Sequence, residues 1–211
     1  MMLRSGIWLS LLFAALGSGC GETKPTAPAA NTNASAPPAA GAPAASTPGE
    51  AKPGQKFTED EGLIQFVGSK PDGKHEGGFN DFEGFAVLGS GDKPIESITV
   101  DINTEQLWAD DGKLTAHLMN QDFFDVKQHP KATFVTKSID PAPGGYKVTG
   151  DLTLLGKTAT IEFPADITAH DGKIDFVADF EISRKQFGMT YGEGKIDDPV
   201  KIKTSFSVPA N

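Results

Sequence analysis

Residues 174–182 alternate apolar and polar, with Val177 the one apolar residue on the polar side. Ile174, Phe176, Ala178, Phe180 and Ile182 fall on one side, with Asp175, Asp179 and Glu181 on the other. Successive side chains of an extended strand point to opposite faces, so this period of two selects a half-buried β-strand. A helix would need its apolar residues three and four apart. The same period runs through Val200, Ile202, Phe206 and Val208 against Lys201, Lys203, Ser205 and Ser207. It returns in 146–154 with Val148, Gly150 and Leu152, and further strands are expected over 63–67, 79–88, 95–102 and 132–139. Between them lie turn formers: Pro141-Ala142-Pro143-Gly144-Gly145, Leu155-Gly156-Lys157 and His170-Asp171-Gly172-Lys173. Strands at this spacing predict an all-β antiparallel sandwich or barrel. One helical segment is expected over 116–126, where Leu118, Asp122, Phe123 and Val126 form a partial stripe. His129-Pro130 ends it, because the residue before a proline is pushed out of helical geometry.

Alternation assigns each strand an inner face but does not say what the inner faces enclose. A small barrel can be filled by side chains or can hold one small ligand. Fourteen Phe against two Trp and two Tyr make an interior with few hydrogen-bonding groups, which suits either a long apolar ligand or a plain Phe-rich core.

The first 56 residues are of another kind. Arg4, a short apolar stretch over 7–16 and Gly17-Ser18-Gly19 ahead of Cys20 describe an export signal over 1–19. The apolar stretch is too short to cross a bilayer core of about 30 Å as a helix. Cys20 is the only cysteine, so no disulfide within the chain is expected. As the first mature residue it suits lipidation, although Gly17 stands where a lipobox usually has Leu; plain cleavage after Gly19 is the other reading. Two or more acyl chains would anchor the protein stably. Gly21 in place of Asp leans toward the outer rather than the inner membrane, on the periplasmic face. Residues 20–56 then form a linker rich in Ala and Pro, with no Leu, Ile, Val, Met or aromatic residue after Cys20. Such a segment cannot bury enough apolar surface to offset its ordering entropy. Residues 57–211 form one domain by size.

Loss of the leader removes Arg4, one of 19 basic residues, against 28 acidic ones. That excess disfavours nucleic acid as a partner. Motifs for catalysis or metals fail on spacing. Gly156-Lys157-Thr158 lacks the earlier glycine of a phosphate loop, since position 151 is Asp. Asp101 to Glu105 begins like a calcium loop, but Gln106 stands where glycine is required. His75, His117, His129 and His170 have no metal-ligand spacing, and no Gly-x-Ser-x-Gly elbow exists. The domain reads as non-catalytic, with no metal and no cofactor.

The string Lys113-Leu114-Thr115-Ala116-His117-Leu118-Met119-Asn120-Gln121-Asp122-Phe123-Phe124-Asp125-Val126, followed by His129-Pro130 and Ala132-Thr133-Phe134, resembles the signature of the YceI-like family. So do the hairpin running from Val148-Thr149-Gly150-Asp151-Leu152 to Gly156-Lys157-Thr158, and the element Ile182-Ser183-Arg184 with Phe187-Gly188-Met189. The opening strands, with Phe66 to Lys70 and His75 to Phe79, fit as well. The resemblance spans about 60–208. It implies an extended lipocalin-like antiparallel β-barrel with one short helical segment, enclosing an apolar tunnel. Members of that family are exported, non-catalytic proteins that bind polyisoprenoid chains such as quinones or prenyl phosphates. The ligand-binding residues expected from this are Phe79, Phe82, Phe85, Leu118, Phe123, Phe124, Phe134, Leu152, Leu154, Phe176 and Phe180. His75 and His117 are expected as polar groups at the mouth, their other role being to fix a loop or helix end. Many members carry Arg-Asp where this chain has Leu114-Thr115, and Asn120 replaces a usual Ser, which leans toward a neutral head group. The expected partners are an isoprenoid lipid and, through Cys20, a membrane. Oligomeric state stays open, a dimer included.

Overall fold

The computed structural model describes residues 54–210. The export signal, Cys20 and most of the linker lie outside the described residues. Eleven strands follow in order: β1 (Gln55–Thr58), β2 (Gly62–Lys70), β3 (Gly73–Phe79), β4 (Phe82–Leu88), β5 (Ile95–Asn103), β6 (Leu107–Ala109), β7 (Lys131–Ala142), β8 (Gly145–Leu154), β9 (Lys157–His170), β10 (Lys173–Ser183) and β11 (Pro199–Pro209). Among the described residues a single α-helix, α1 (Gly112–Leu118), sits between β6 and β7, and 3-10 turns cover Thr104–Gln106 and Arg184–Phe187. The first strand starts at Gln55, two residues ahead of the boundary expected at 57.

All strands join one antiparallel sheet in the order β1-β4-β5-β7-β8-β9-β10-β11-β2-β3-β6. β1 lies at one end of that order and β2 near the other, yet three residues separate them in the chain. β1 pairs with β4, and β2 pairs with β11. The kink between them is held where Ser207 N–H donates to the Glu61 carbonyl at 3.0 Å. The sheet therefore curls round until one kinked ribbon lies across its seam, with β3 and β6 extending beyond. Two hairpins set the register on the far wall. Leu155-Gly156 (φ 54° and 68°) and Asp171-Gly172 (φ 47° and 74°) each put two residues at positive φ, the geometry whose twist matches the flanking strands.

The interior divides along its length. Toward the end where β5, β8 and β10 begin and β11 finishes, Phe57, Ile95, Ile139, Val148 and Val208 are buried to 2% exposure or less. The flat rings of Phe57, Phe206 and Phe176 stack in sequence, with centroids 3.9 and 4.8 Å apart and planes within 9°. Side chains fill this half. Toward the other end they do not.

Three expectations need correction. The helix covers Gly112–Leu118, not 116–126. Asp111 starts it, its carboxylate accepting from the Lys113 and Leu114 N–H groups at 2.9 Å. Beyond Leu118 the chain makes successive tight turns, with Phe123 and Asp125 N–H donating to the Asn120 carbonyl and Asp125 at φ 40°. The stripe of Leu118, Phe123 and Val126 thus comes from turns rather than from one continuous helix. Second, 79–88 is two strands. The chain breaks at Asn80-Asp81 and sends β3 to β2 and β4 to β1. Third, β9 is the longest strand although only its turns are marked in the sequence. Pro164, which reads against a strand interior, sits where β9 pairs with β8 alone, since pairing with β10 begins at Asp166.

Candidate functional site

The packing stops at the Phe176–Phe206 row. The next cross-strand rows, Ala178–Thr204–Ile64, Phe180–Ile202–Phe66 and Ile182–Val200–Gly68–His75, run toward the other end of the barrel. Between them and the facing wall lies a cavity of about 410 Å³. That is within the range of about 300–1,000 Å³ common to small-molecule sites. A glycine helps keep it open. A Cβ at Gly150 would come 2.4 Å from the Phe134 ring, so the absence of one lets that ring lie flat on the wall instead of filling the middle.

Nine of the eleven expected apolar residues line this cavity: Phe79, Leu118, Phe123, Phe124, Phe134, Leu152, Leu154, Phe176 and Phe180. Phe82 is buried in the wall opposite Ile102 and is not part of the lining. Phe85 lies on the outer surface, 41% exposed. The break at Asn80-Asp81 restarts the alternation, so Phe82, Gly84 and Ala86 are buried while Glu83 and Phe85 face out.

The mouth is built from α1, the turns after it, the β2–β3 hairpin and the segment 188–198. Phe124 packs against Phe66 and edge-on to Phe79, with centroids 5.9 and 5.7 Å apart. His117 and His75 both line the cavity. Each is also tied to a carboxylate: His117 Nε2 lies 2.9 Å from Asp122, and His75 Nδ1 lies 3.0 Å from Asp110. The His75 hydrogen bond, followed by the Glu76 N–H, holds the Asp110 carboxyl below its usual range. His117 also meets Phe123 and Tyr191 edge-on, at 5.1 and 4.9 Å. Tyr191 thereby closes the mouth segment against the turns after α1.

Arg184 is the residue that the sequence alone does not single out. It is 3% exposed and lines the cavity. Its Nε–H donates to the Asp197 carbonyl (2.9 Å), Nη1 to Met189 and Tyr191 (2.7 and 2.9 Å), and Nη2 to Ile196 (3.1 Å). One guanidinium thus gathers the segment 189–197 by its backbone. Its place in the Ile182-Ser183-Arg184 element, at the end of an apolar strand, is the signal the sequence offers. Lys70, Phe66, Phe163 and Tyr191 join the lining as well. Among the described residues, no cluster of three His, Cys, Asp or Glu side chains converges as a metal site.

The YceI-like domain pattern matches residues 56–208. The chain belongs to the YceI-like family. Its signature segments map onto the mouth: the His-Leu to Asp-Val string forms the end of α1 and the turns after it, and the Ile-x-Arg element closes β10 at Ser183 and opens the 3-10 turn at Arg184. Among curated relatives, a UPF0312 protein of Pectobacterium atrosepticum is 27% identical over 132 residues, covering 60% of this chain and 69% of its own length. A UPF0312 protein of Pseudomonas putida is 38% identical over 92 residues, a match spanning 42% of this chain and 47% of the relative. Among solved structures, Burkholderia cenocepacia BcnA superposes with a TM-score of 0.64 at 27% identity, over 70% of this chain and 96% of that one. A polyisoprenoid-binding domain from Saccharophagus degradans, implicated in plant cell wall breakdown, reaches 0.59 at 14% identity, over 75% and 99%. That last likeness is one of fold alone.

Proposed function

We propose that this YceI-like barrel is a non-catalytic carrier or store for an isoprenoid-type lipid at a bacterial cell envelope. The observation that carries the reading is the cavity of about 410 Å³, with mostly apolar walls and a few polar groups gathered at one end. Each Å² of hydrocarbon that such a wall takes from water is worth about 25 cal/mol, so an apolar chain is its natural occupant. The neighbouring fold of a polyisoprenoid-binding domain supports the same class of ligand. The chain runs from the mouth at His117 and Tyr191 down to the stacked rings of Phe57, Phe206 and Phe176, which stop it. An apolar cavity of roughly 150 Å³ admits one benzene. In proportion, this one has room for about sixteen carbons, close to three isoprene units. A longer chain leaves its remainder at the mouth.

The location belongs to the same proposal and rests on the sequence: export by the leader, lipidation at Cys20, and a linker that holds the barrel away from the periplasmic face of the outer membrane. Protein purified from its native host, extracted with organic solvent and analysed by mass spectrometry, is expected to release a prenyl lipid. Empty protein that also fails to take up added quinone would refute the carrier. Cys20→Ala is expected to move the full chain from the membrane fraction to the soluble one; unchanged fractionation would remove the anchor.

A further inference from the structure

The wall round the cavity is not zipped over its whole length. From the hairpin at Asp171-Gly172, β9 and β10 pair only as far as Asp166–Val177. Beyond that β9 keeps to β8 as far as Lys157, and β10 keeps to β11 as far as Ser183. The two strands therefore fork, and the fork runs along the cavity. Ile161 and Phe163 line the cavity from one prong, Phe180 and Ile182 from the other. The far end of the fork is bridged where the Lys157 side chain lies against Gly188, in the chain that leaves β10.

Two features build the fork in. The first is Pro164. Ala165 turns its carbonyl toward β8, since that oxygen stands 2.6 Å from where a Cβ at Gly145 would be. Neighbouring residues of a strand turn their backbone groups to opposite sides, so Pro164 faces β10 with no N–H to donate. The second is a pair of rings. Continued past Asp166–Val177, the register would set Phe163 opposite Phe180, and those two rings stack at 4.0 Å with planes 9° apart. Side chains close the wall where the ladder stops. A groove lined by Glu162, Pro164, Asp166, Val177 and Asp179 reaches Phe163 from outside, while the cavity reaches it from within.

Where β5 and β7 part, the closure is of another kind. Their pairing ends at Thr99–Val135, and the Thr136 hydroxyl then accepts from the Ile98 N–H at 3.0 Å and donates to the Ile98 carbonyl at 2.8 Å. The mouth is fastened as well, because Arg184 holds the segment 189–197 by its carbonyls. Widening the mouth breaks hydrogen bonds from a charged donor, whereas parting the fork has only to slide one ring off another. We infer that the β9–β10 fork is a side gate through which an apolar chain enters and leaves the cavity, with the Phe163–Phe180 stack as its latch. The gate rests on the lipid-carrier reading and adds the route that reading leaves open.

The test staples the fork in the full chain. Pro164→Cys and Asp179→Cys place two thiols just past the last paired residues, and Cys20→Ala removes the natural one. Neither Pro164 nor Asp179 lines the cavity. The probe is farnesol, a C15 isoprenoid alcohol, with its uptake and release followed by stopped flow. Oxidation is expected to slow both rates about tenfold or more and to keep the dissociation constant within about twofold, because a blocked route changes rates and not the cavity. Reduction is expected to restore the rates. Pro164→Val returns the missing N–H and is expected to slow exchange without a cross-link, which serves where the staple does not form. Unchanged rates in a chain whose disulfide is verified by mass spectrometry, or in Pro164→Val where no disulfide forms, overturn the gate and leave the carrier standing. Failure of farnesol to bind the unaltered chain overturns both.

Discussion

The two halves of this barrel are made from the same residue types and do opposite things. In the half beyond Phe206, Phe57, Ile139, Val148 and Val208 pack without reserve. In the other half, Phe66, Phe134, Phe163 and Phe180 line a space instead of filling it. Composition does not separate them. What lies next to each ring does: Phe57 covers Gly84 and has Phe206 stacked on it, whereas Phe134 covers Gly150 and borders the cavity. One half supplies stability, which frees the other to keep a void that would otherwise be costly.

That division makes measurable claims. The largest effect is expected from Phe57→Ala, a loss of about 3–5 kcal/mol, because the site is sandwiched and cannot collapse. Denaturant unfolding measures it, and a loss below about 1 kcal/mol would erase the distinction between the halves. A pair of identical changes sharpens the contrast. At Gly84 a Cβ meets the Phe57 ring at 2.1 Å, and the Phe206 ring stacked on it at 3.9 Å resists its moving away. At Gly150 the Phe134 ring can swing into the cavity. Gly84→Ala is therefore expected to cost about 2–3 kcal/mol and Gly150→Ala about 1, while only the second reduces uptake of a C15 probe. The reverse ranking contradicts the assignment of solid and hollow halves. Next comes Ile161→Phe, which adds bulk from the β9 wall into the void. Stability is expected to stay within about 1 kcal/mol, with probe uptake falling.

The smallest effect concerns the hairpin at the solid end. His170 is raised above its ordinary pKa, chiefly by its hydrogen bond to Asp175, and Asp175 is lowered, chiefly by the same bond. The His170 contribution is complete below 6.5 and fades as pH rises through its raised value. The Asp175 contribution is complete above 3.8 and fades as pH falls through its lowered value. The pair is thus strongest between those limits. Both groups are solvent-exposed, so the readout is a proton NMR titration rather than stability. Asp175→Asn is expected to bring the His170 midpoint back toward 6.5; an unmoved midpoint dismisses the pair.

Much of the frame was legible. Alternation in β10 and β11 and the turns at Leu155-Gly156 and Asp171-Gly172 carry their own physics, and the structure follows them residue by residue. What escaped was information held between elements. The break after Phe79 depends on two strands finding different partners, and it alone decides that Phe85 faces out. The void is not encoded in any one strand, because it arises from how rings of facing walls stack. Arg184 was visible as a letter in a motif, but its importance lies in four carbonyls that only the folded loop brings together.

The kinked ribbon over the seam has a consequence for how the molecule comes into being. Gly62 pairs with Phe206, so the first long strand waits for almost the last residues of the domain before it can register. Contacts between such distant stretches of chain form late and slowly. A polypeptide whose last strand is still missing therefore cannot zip this cylinder shut, and the chain must be whole before it acquires an inside.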